Sequence, residues 1–191
     1  LIIAPAFSEK SIDYAKTKKN IRIIEYPKDY DSVDKKSCQI KTISNGFLIQ
    51  QEDFSKDDLF KKYKVVSEKI PTDKELEDLH FAWLVAKYVK SNAIIFAKDC
   101  KTLGIGAGQM SRIDSTIIAS IKSANQKIDL KNAVMASDAF FPFYDNVEKA
   151  AELGISSIIQ PGGSQNDNEV IKKVNELNLS MVFTGIRHFR H

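Results

Sequence analysis

The chain has 191 residues, of which 43% are hydrophobic and 28% charged, and its net charge is +3. These proportions are typical of a globular protein that can bury a core without disulfide bonds. Acidic and basic residues are mixed along the chain, which argues against a nucleic-acid-binding face, and no apolar run is long enough to cross a membrane. The isolated Cys38 and Cys100 favour a reducing compartment, so we expect a cytoplasmic protein.

The first third of the chain predicts short strands and one short helix. It opens on "LIIAPAF" without a methionine, which we interpret as a buried strand ending at Pro5, in a fragment whose N-terminal part is missing. "SEKSIDYAKT" predicts a helix capped by Ser8, and "IRIIEY" predicts a strand. Further strands are predicted in "NGFLIQQED" and "YKVVSEK", as a meander or the edge of a sheet.

Stronger signals follow Pro71. Thr72 and Glu75 predict a capping box at the start of a helix over residues 72–90, and its apolar residues recur at helical spacing from Leu76 to Ala86. "NAIIFAK" and "TLGIGAG" flank "KDCK" as a β-hairpin, and "SRIDSTIIASIKSANQ" predicts a second long helix. The rest alternates strand and helix as βαβαβ, with Gly154 ending one helix in the left-handed region. We therefore predict an α/β fold with a parallel sheet, covering helices and an antiparallel hairpin at one edge.

Four stretches with unusual composition follow predicted strands of this sheet. They are residues 104–112, 137–146, 160–167 and 184–191. Because ligands of open α/β sheets bind outside the carboxyl ends of the strands, these stretches predict a binding site.

Each stretch also has a plainer interpretation. The glycines before Arg112 suit either close approach of an anion or an ordinary strand-to-helix turn. "QPGGS" suits a tight turn, and the terminal "RHFRH" either closes an anion site or frays in solvent. "SDAFFPFYDN" is either aromatic core or the wall of a pocket for a flat ligand, and Phe141 is its best candidate for core.

The machinery for proton transfer is not evident in the sequence. Histidines occur at positions 80, 188 and 191, and no spacing suggests a zinc site or a nucleophile–base pair. The zinc-deaminase signature is also missing from the sequence, so a deaminase relative that uses zinc is disfavoured.

Several segments resemble the C-terminal part of a bifunctional purine-biosynthesis family that couples AICAR formyltransferase to IMP cyclohydrolase, in its bacterial form. They are "KYVKSNAIIFAK", "LGIGAGQMSRID", "ASDAFFPFYDNVEKAAELGISSIIQPGGS" and "RHFRH". The resemblance is dense from Trp83 onward and loose over residues 27–70. It implies a layered α/β/α, cytidine-deaminase-like fold without zinc. Residues 1–70 would be the end of a first subdomain with a linking segment, and residues 71–191 the C-terminal subdomain.

The resemblance also implies an activity. The family transfers a formyl group from 10-formyltetrahydrofolate to the 5-amino group of AICAR, giving FAICAR, at the interface of a homodimer. The cyclohydrolase domain and a catalytic Lys-His pair would both precede Leu1. We therefore assign no catalytic residue here, not even His188 or His191, and expect the chain alone to be inactive.

Site roles follow from the resemblance residue by residue. The residues implied to bind AICAR are Asn92, Arg112, Phe140 and Arg187, and Asn92 is also implied to support catalysis. Those implied for the folate are Ile113, Pro142, Phe143, Asp145, Asn146 and Ser164. A potassium ion is implied near Val85, Ser91 and Asp138, although Val89 and Ala93 replace hydroxyl residues of some members. The alternative to this enzyme is a non-catalytic α/β nucleotide-binding module.

Overall fold

The computed structural model describes residues 1–26, 38–51, 53 and 62–190. The chain divides into two compact units, Leu1–Phe54 and Ser55–His191. The assignment of residues 1–70 and 71–191 to two subdomains of the family stays a prediction.

The first unit begins with a strand–helix–strand segment. Strand β1 (Ile2–Ala4) pairs in parallel with β2 (Ile23–Glu25), and helix α1 (Glu9–Lys16) connects them. The Ser8 hydroxyl accepts from the Ser11 amide at 3.2 Å, which confirms the predicted cap. The predicted burial of the first strand is wrong, since Ile2 and Ile3 are about half exposed. A two-stranded ladder of this length has too few neighbours to enclose its side chains.

The first unit also contains a β-hairpin. Strand β3 (Cys38–Ile43) pairs antiparallel with β4 (Gly46–Gln51), so that Ile40 lies opposite Ile49. The second of these strands is predicted by "NGFLIQQED", of which Glu52 lies outside the described residues, whereas β3 is missed by the sequence reading.

The second unit is built on a mixed sheet with the strand order β5-β10-β9-β8-β6-β7. Strands β8, β9 and β10 are parallel to one another, and β6 runs antiparallel to β8. At the two edges, β7 is antiparallel to β6 and β5 is antiparallel to β10. The predicted βαβαβ order and edge hairpin are therefore confirmed, and "YKVVSEK" supplies the other sheet edge. In chain order the elements are β5 (Lys64–Val65), α2 (Asp73–Ala86), β6 (Ile94–Lys98), β7 (Lys101–Gly106), α3 (Arg112–Asn125), β8 (Val134–Ser137), α4 (Asp145–Glu152), β9 (Ser157–Gln160), α5 (Asp167–Glu176) and β10 (Ser180–Phe183).

Helices cover both faces of this sheet. On one face, α2 packs through Trp83 and its neighbours onto Ile95 and Ile159. On the other face, α3, α4 and α5 contribute Ala119, Val147 and other side chains to a second cluster. Fully burying a large apolar side chain stabilises the fold by about 1.5–3 kcal/mol. The predicted three-layer α/β/α architecture is confirmed.

Helix boundaries follow the predicted caps. Thr72 and Glu75 form a reciprocal capping box at α2, and Gly154 has a φ of +79° after α4. Helix α2 is shorter than predicted because it ends at Ala86, and the chain then turns toward β6. That turn, residues 87–93, enters the candidate site.

Candidate functional site

The four stretches singled out in the sequence meet at one edge of the six-stranded sheet. Strands β7, β8, β9 and β10 run in the same direction, so their carboxyl ends share this edge, and β6 begins there. Direct contacts join the connections: the Thr184 amide donates to the Gln160 carbonyl at 3.0 Å, and the Asp138 amide to the Ala93 carbonyl at 3.3 Å. The predicted convergence is confirmed.

The C-terminal segment lies against this edge. The His188 amide donates to the Asp138 carbonyl at 2.8 Å, and the Ser91 amide to the Arg190 carbonyl at 3.0 Å. The Arg190 amide returns a bond to the Ser91 hydroxyl at 3.2 Å. The alternative of a frayed tail is therefore wrong for residues 184–190, while His191 lies outside the described residues. Arg187 is exposed, with its guanidinium 4.7 Å from the Phe189 ring centroid.

Asn92 is fixed by the loop between β7 and α3. Its carboxamide nitrogen donates to the Gln109 carbonyl at 2.9 Å, and its main-chain carbonyl accepts from the Ser115 hydroxyl at 2.8 Å. The Gly108 amide also donates to the Lys90 carbonyl at 2.8 Å. The bond to Gln109 orients the Asn92 carboxamide through its nitrogen, and the carboxamide oxygen is then the polar group that can bind a ligand.

Arg112 and Asp138 form the charged centre of the site. The Ser111 hydroxyl caps α3, which places Arg112 as the first residue of the helix. Arg112 Nη2 lies 3.9 Å from Asp138 Oδ1, and the two side chains are 15% and 1% exposed. This separation is too long for a hydrogen bond but short enough for strong attraction away from water.

Some polar atoms of this pair do not form hydrogen bonds within the described part of the chain. Arg112 Nε and both Asp138 carboxylate oxygens are buried and have no hydrogen-bond partner among the described residues. Burial lowers the pKa of the Arg112 guanidinium, and the negative charge of Asp138 opposes this shift. Because buried polar groups are normally paired, the pair is suited to receive a further polar group.

The glycines of residues 104–112 have two different roles. A Cβ on Gly104 or Gly106 would overlap main-chain atoms of Ala119 or Ser115 in α3. These two glycines therefore allow α3 to pack closely on β7, and the interpretation that they approach a ligand is wrong for them. Gly108, with a φ of +68°, lies in the loop itself.

The aromatic segment, residues 140–143, divides between core and surface. Phe141 is 0% exposed, which confirms its predicted core position, whereas Phe143 is 63% exposed. Phe140 and Pro142 are half-buried at the same edge, as is Ile113 in the first turn of α3. The surface part of the segment is large and flat enough to line a pocket for a ring system.

The polar residues near the aromatic segment differ in accessibility. Asp145 is half-buried, and its Oδ1 accepts from the Asn146 amide at 2.8 Å and from Asn146 Nδ2 at 2.9 Å. Asn146 is 1% exposed, and its Oδ1 accepts from the Thr116 hydroxyl at 2.7 Å. Asn146 therefore orients Asp145, and its direct contact with a folate stays a prediction.

Ser164 lies in the connection between β9 and α5. Its hydroxyl accepts from the Asn166 amide at 3.1 Å, and Asn166 Nδ2 donates to the Pro142 carbonyl at 2.7 Å. The sequence predicts Ser164 as a folate-binding residue, but it does not predict the hydrogen bonds that Gln160, Asn166 and Thr116 make at this edge. No local signal distinguishes these three from ordinary strand, cap and helix residues, because their partners lie far away in sequence.

The residues expected near a potassium ion fit a cation unequally. Asp138 fits best, because its buried carboxylate lacks hydrogen-bond donors among the described residues. Ser91 is buried with its hydroxyl bonded to Arg190, and Val85 is half-buried on α2. Within the described ranges, no group of three or more His, Cys, Asp or Glu side chains could hold a metal.

In the same ranges, no helix is both long and apolar enough to cross a membrane.

The second unit is a layered α/β domain with a candidate binding site at one sheet edge. A protein-family model described as "AICARFT/IMPCHase bienzyme" matches residues 1–122. The chain therefore belongs to the AICARFT/IMPCHase bienzyme family, which confirms the resemblance found in the sequence.

Curated relatives extend this match to the whole chain. "Bifunctional purine biosynthesis protein PurH" from Xanthomonas campestris pv. campestris strain 8004 is 47% identical over 196 aligned residues, and so is the protein of the same name from strain ATCC 33913. Each alignment covers 100% of this chain and 36% of the relative, so the chain spans about a third of their length.

Two solved structures show weaker similarity. The dCMP deaminase of cyanophage S-TIM5 in its apo form has a TM-score of 0.39 and 12% identity, over 59% of this chain and 98% of that one. Acinetobacter baumannii RibD, form 2, has a TM-score of 0.36 and 9% identity, over 55% of this chain and 32% of that one.

Proposed function

We propose that this chain forms part of the AICAR formyltransferase site of a purine-biosynthesis enzyme. The reaction transfers the formyl group of 10-formyltetrahydrofolate to the 5-amino group of AICAR, giving FAICAR. The proposal is supported by family membership and by the name of the relatives. Its main structural support is the buried Arg112–Asp138 pair, whose Asp138 amide donates to the carbonyl of Ala93, the neighbour of Asn92.

Four residues hold the nucleotide in this proposal. Arg112 and Arg187 bind polar or anionic groups, since a guanidinium offers several donors in a fixed plane. Asn92 orients the carboxamide and amine region with its carboxamide oxygen, and Phe140 lines the base. Asp138 keeps the positive charge of Arg112 in place within a buried setting.

The folate lies on the other side of the aromatic segment. Ile113, Pro142 and Phe143 provide the apolar wall for its rings, and the exposure of Phe143 leaves that ring available. Asp145 and Ser164 hydrogen-bond the pterin edge, with Asn146 acting through Asp145 or directly. Flat apolar walls of this kind orient ring systems and exclude water.

The chemistry requires positioning more than it requires acid or base strength from this chain. The AICAR amine is a weak nucleophile because its lone pair is delocalised into the imidazole ring. Its nitrogen forms a bond to the formyl carbon, the bond from that carbon to folate N10 breaks, and the amine proton is removed while N10 gains one. Holding both ligands in line lowers the barrier, and Asn92 and Arg112 stabilise charge on the formyl oxygen.

The remaining elements of the proposal concern groups outside this chain. We propose that a Lys-His pair preceding Leu1 moves the proton, that a second copy of the protein completes the site as a homodimer, and that the enzyme acts in the cytoplasm. A potassium ion bound at Asp138, with Val85 and Ser91 beside it, would share the buried carboxylate with Arg112.

Calorimetric titration of the 191-residue chain tests the proposal. We expect weak binding of both AICAR monophosphate and 10-formyltetrahydrofolate, no formyl transfer, and loss of AICAR binding in Arg112→Met. Binding of neither ligand would contradict the proposal, and turnover by the chain alone would contradict the placement of the Lys-His pair. Binding of the nucleotide without the folate would favour the non-catalytic nucleotide-binding module.

A further inference from the structure

Two carboxamide side chains hold the aromatic segment from the neighbouring strand–helix connection. Gln160, at the end of β9, accepts from the Phe141 amide through Oε1 at 2.9 Å, and Gln160 is 0% exposed. Asn166, just before α5, donates from Nδ2 to the Pro142 carbonyl at 2.7 Å. Main-chain groups of two consecutive residues in the segment are thus fixed by one adjacent connection.

Asn166 makes this bond in place of its usual local role. It occupies the N-cap position of α5, where asparagine ordinarily accepts from a main-chain amide of the first turn. Its side chain makes no such cap bond. A carbonyl oxygen can only accept, so the Pro142 contact requires the amide nitrogen as donor. Aspartate or serine would cap this helix equally well, but neither has a carboxamide donor that reaches Pro142.

The position of the exposed ring depends on this support. Phe143 is 63% exposed, so side-chain packing constrains it only partly. The main chain on its N-terminal side is fixed at Phe141 by Gln160 and at Pro142 by Asn166. Loss of either bond frees the segment to shift relative to Arg112 and Asp145, which lie on separate helices.

We infer that Asn166 and Gln160 are positioning residues that set the aromatic segment for ring binding. The inference rests on the proposed function only in naming the ring as that of a folate. The geometric part, that these two carboxamides determine where Phe143 lies, can be tested without any ligand.

Substitutions at Asn166 separate positioning from capping. Asn166→Asp and the neutral Asn166→Ser both remove the carboxamide donor to Pro142, and both supply an oxygen that can cap α5, a bond that Asn166 itself does not make. We expect the new cap to offset the lost bond, so that the melting temperature is maintained. We expect binding of 10-formyltetrahydrofolate to weaken about tenfold in both, the effect of one lost hydrogen bond, with AICAR monophosphate binding changed less than about twofold. Asn168→Asp, in the first turn of the same helix, is the matched control and should change neither affinity.

A ligand-free measurement decides the geometric part. With fluorinated phenylalanine incorporated and Phe143 assigned by a Phe143→Leu variant, the ¹⁹F resonance of Phe143 should shift or broaden in Asn166→Ser and stay unchanged in Asn168→Asp. Gln160→Met, which keeps the side-chain length, should perturb the same resonance. An unchanged Phe143 resonance in both Asn166→Ser and Gln160→Met would overturn the inference. If the unmodified chain binds no folate, the proposed function fails while this spectrum still decides the positioning role.

Discussion

The imidazole of His188 packs on the indole of Trp83, with ring centroids 4.3 Å apart and planes inclined by 47°. Both side chains are buried, His188 in the C-terminal segment and Trp83 in the last turn of α2. The contact ties the end of the chain to the core beneath the sheet edge. Because the same segment bonds to Asp138 and Ser91, this contact stabilises the candidate site as well as the fold.

Removing the His188 ring should release the C-terminal segment. We expect His188→Ala to lower the free energy of unfolding by about 2 kcal/mol, through a buried cavity and lost ring contact. Hydrogen exchange should accelerate at the amides of Ser91 and Arg190, which bond across this junction. Arg187→Ala, at an exposed neighbour, should change stability by less than about 0.5 kcal/mol and leave both amides protected. Equal protection in the two variants would refute an anchoring role for His188.

The buried charge pair predicts a non-additive double mutant. Arg112→Met leaves the Asp138 carboxylate buried without its cation, which should destabilise the protein by about 3 kcal/mol in urea unfolding. Adding Asp138→Asn to Arg112→Met should recover at least half of that loss, because the uncompensated charge is gone. Lys173→Met, which breaks the more accessible ion pairs with Glu148 and Glu176, is the control and should change stability by less than about 1 kcal/mol. Strict additivity of the two substitutions would show that the charges do not interact.

Helix α3 requires glycine beneath it. A Cβ at position 106 would overlap the Ser115 carbonyl, which is main chain and cannot rotate away. We expect Gly106→Ala to destabilise the protein by about 3 kcal/mol by overpacking, measured as unfolding followed by Trp83 fluorescence. Gly46→Ala, at a site with no atom within 4 Å of the added Cβ, should leave this transition unchanged. A stable Gly106→Ala protein would mean that α3 can move away from β7 at little cost.

The capping box of α2 predicts a pH dependence of stability. Burial alone would raise the pKa of Glu75, but hydrogen bonds from Ser156 and Thr72 outweigh it and lower the pKa below the ordinary 4.5. A lowered folded-state pKa stabilises the protein above the unfolded-state value, and this contribution is lost as pH falls through the folded-state pKa. Glu75→Gln should therefore reduce stability at pH 7 and flatten its decline below pH 4.5.

The matched control for this experiment is Glu77→Gln, which makes the same charge change on the exposed side of α2, in the residue next but one to Glu75. Guanidinium titrations of both variants between neutral and acidic pH provide the comparison. A Glu75→Gln curve that runs parallel to the unmodified protein would contradict the predicted pKa shift.

Local signals were enough to predict most elements of the second unit. The Thr72–Glu75 box and the left-handed Gly154 each act within four residues, so the sequence around them determines their geometry. Alternation of buried strands and amphipathic helices then restricts the topology, because parallel strands need crossover helices. The site edge followed from that topology and one general property of α/β sheets.

The tertiary structure corrected the local interpretations of individual residues. Gly104 and Gly106 look like ligand-contacting glycines until α3 is seen packed on them. Asn166 looks like a helix cap, yet its side chain reaches Pro142. The strand β3 was missed, since its assignment depends on pairing with β4 rather than on a strong pattern of its own.

By itself the sequence determined the secondary structure of the second unit, the layered α/β class and the family. Those properties depend on periodicity and short motifs, which involve neighbours along the chain. Only the tertiary structure decided which polar groups form hydrogen bonds within the protein and which remain available to a ligand. The Ser91–Arg190 bonds join residues 99 positions apart, and Asn166 meets Pro142 across 24. Hydrogen bonds over such separations depend on how connections pack at a shared sheet edge, and a linear pattern contains no measure of that packing.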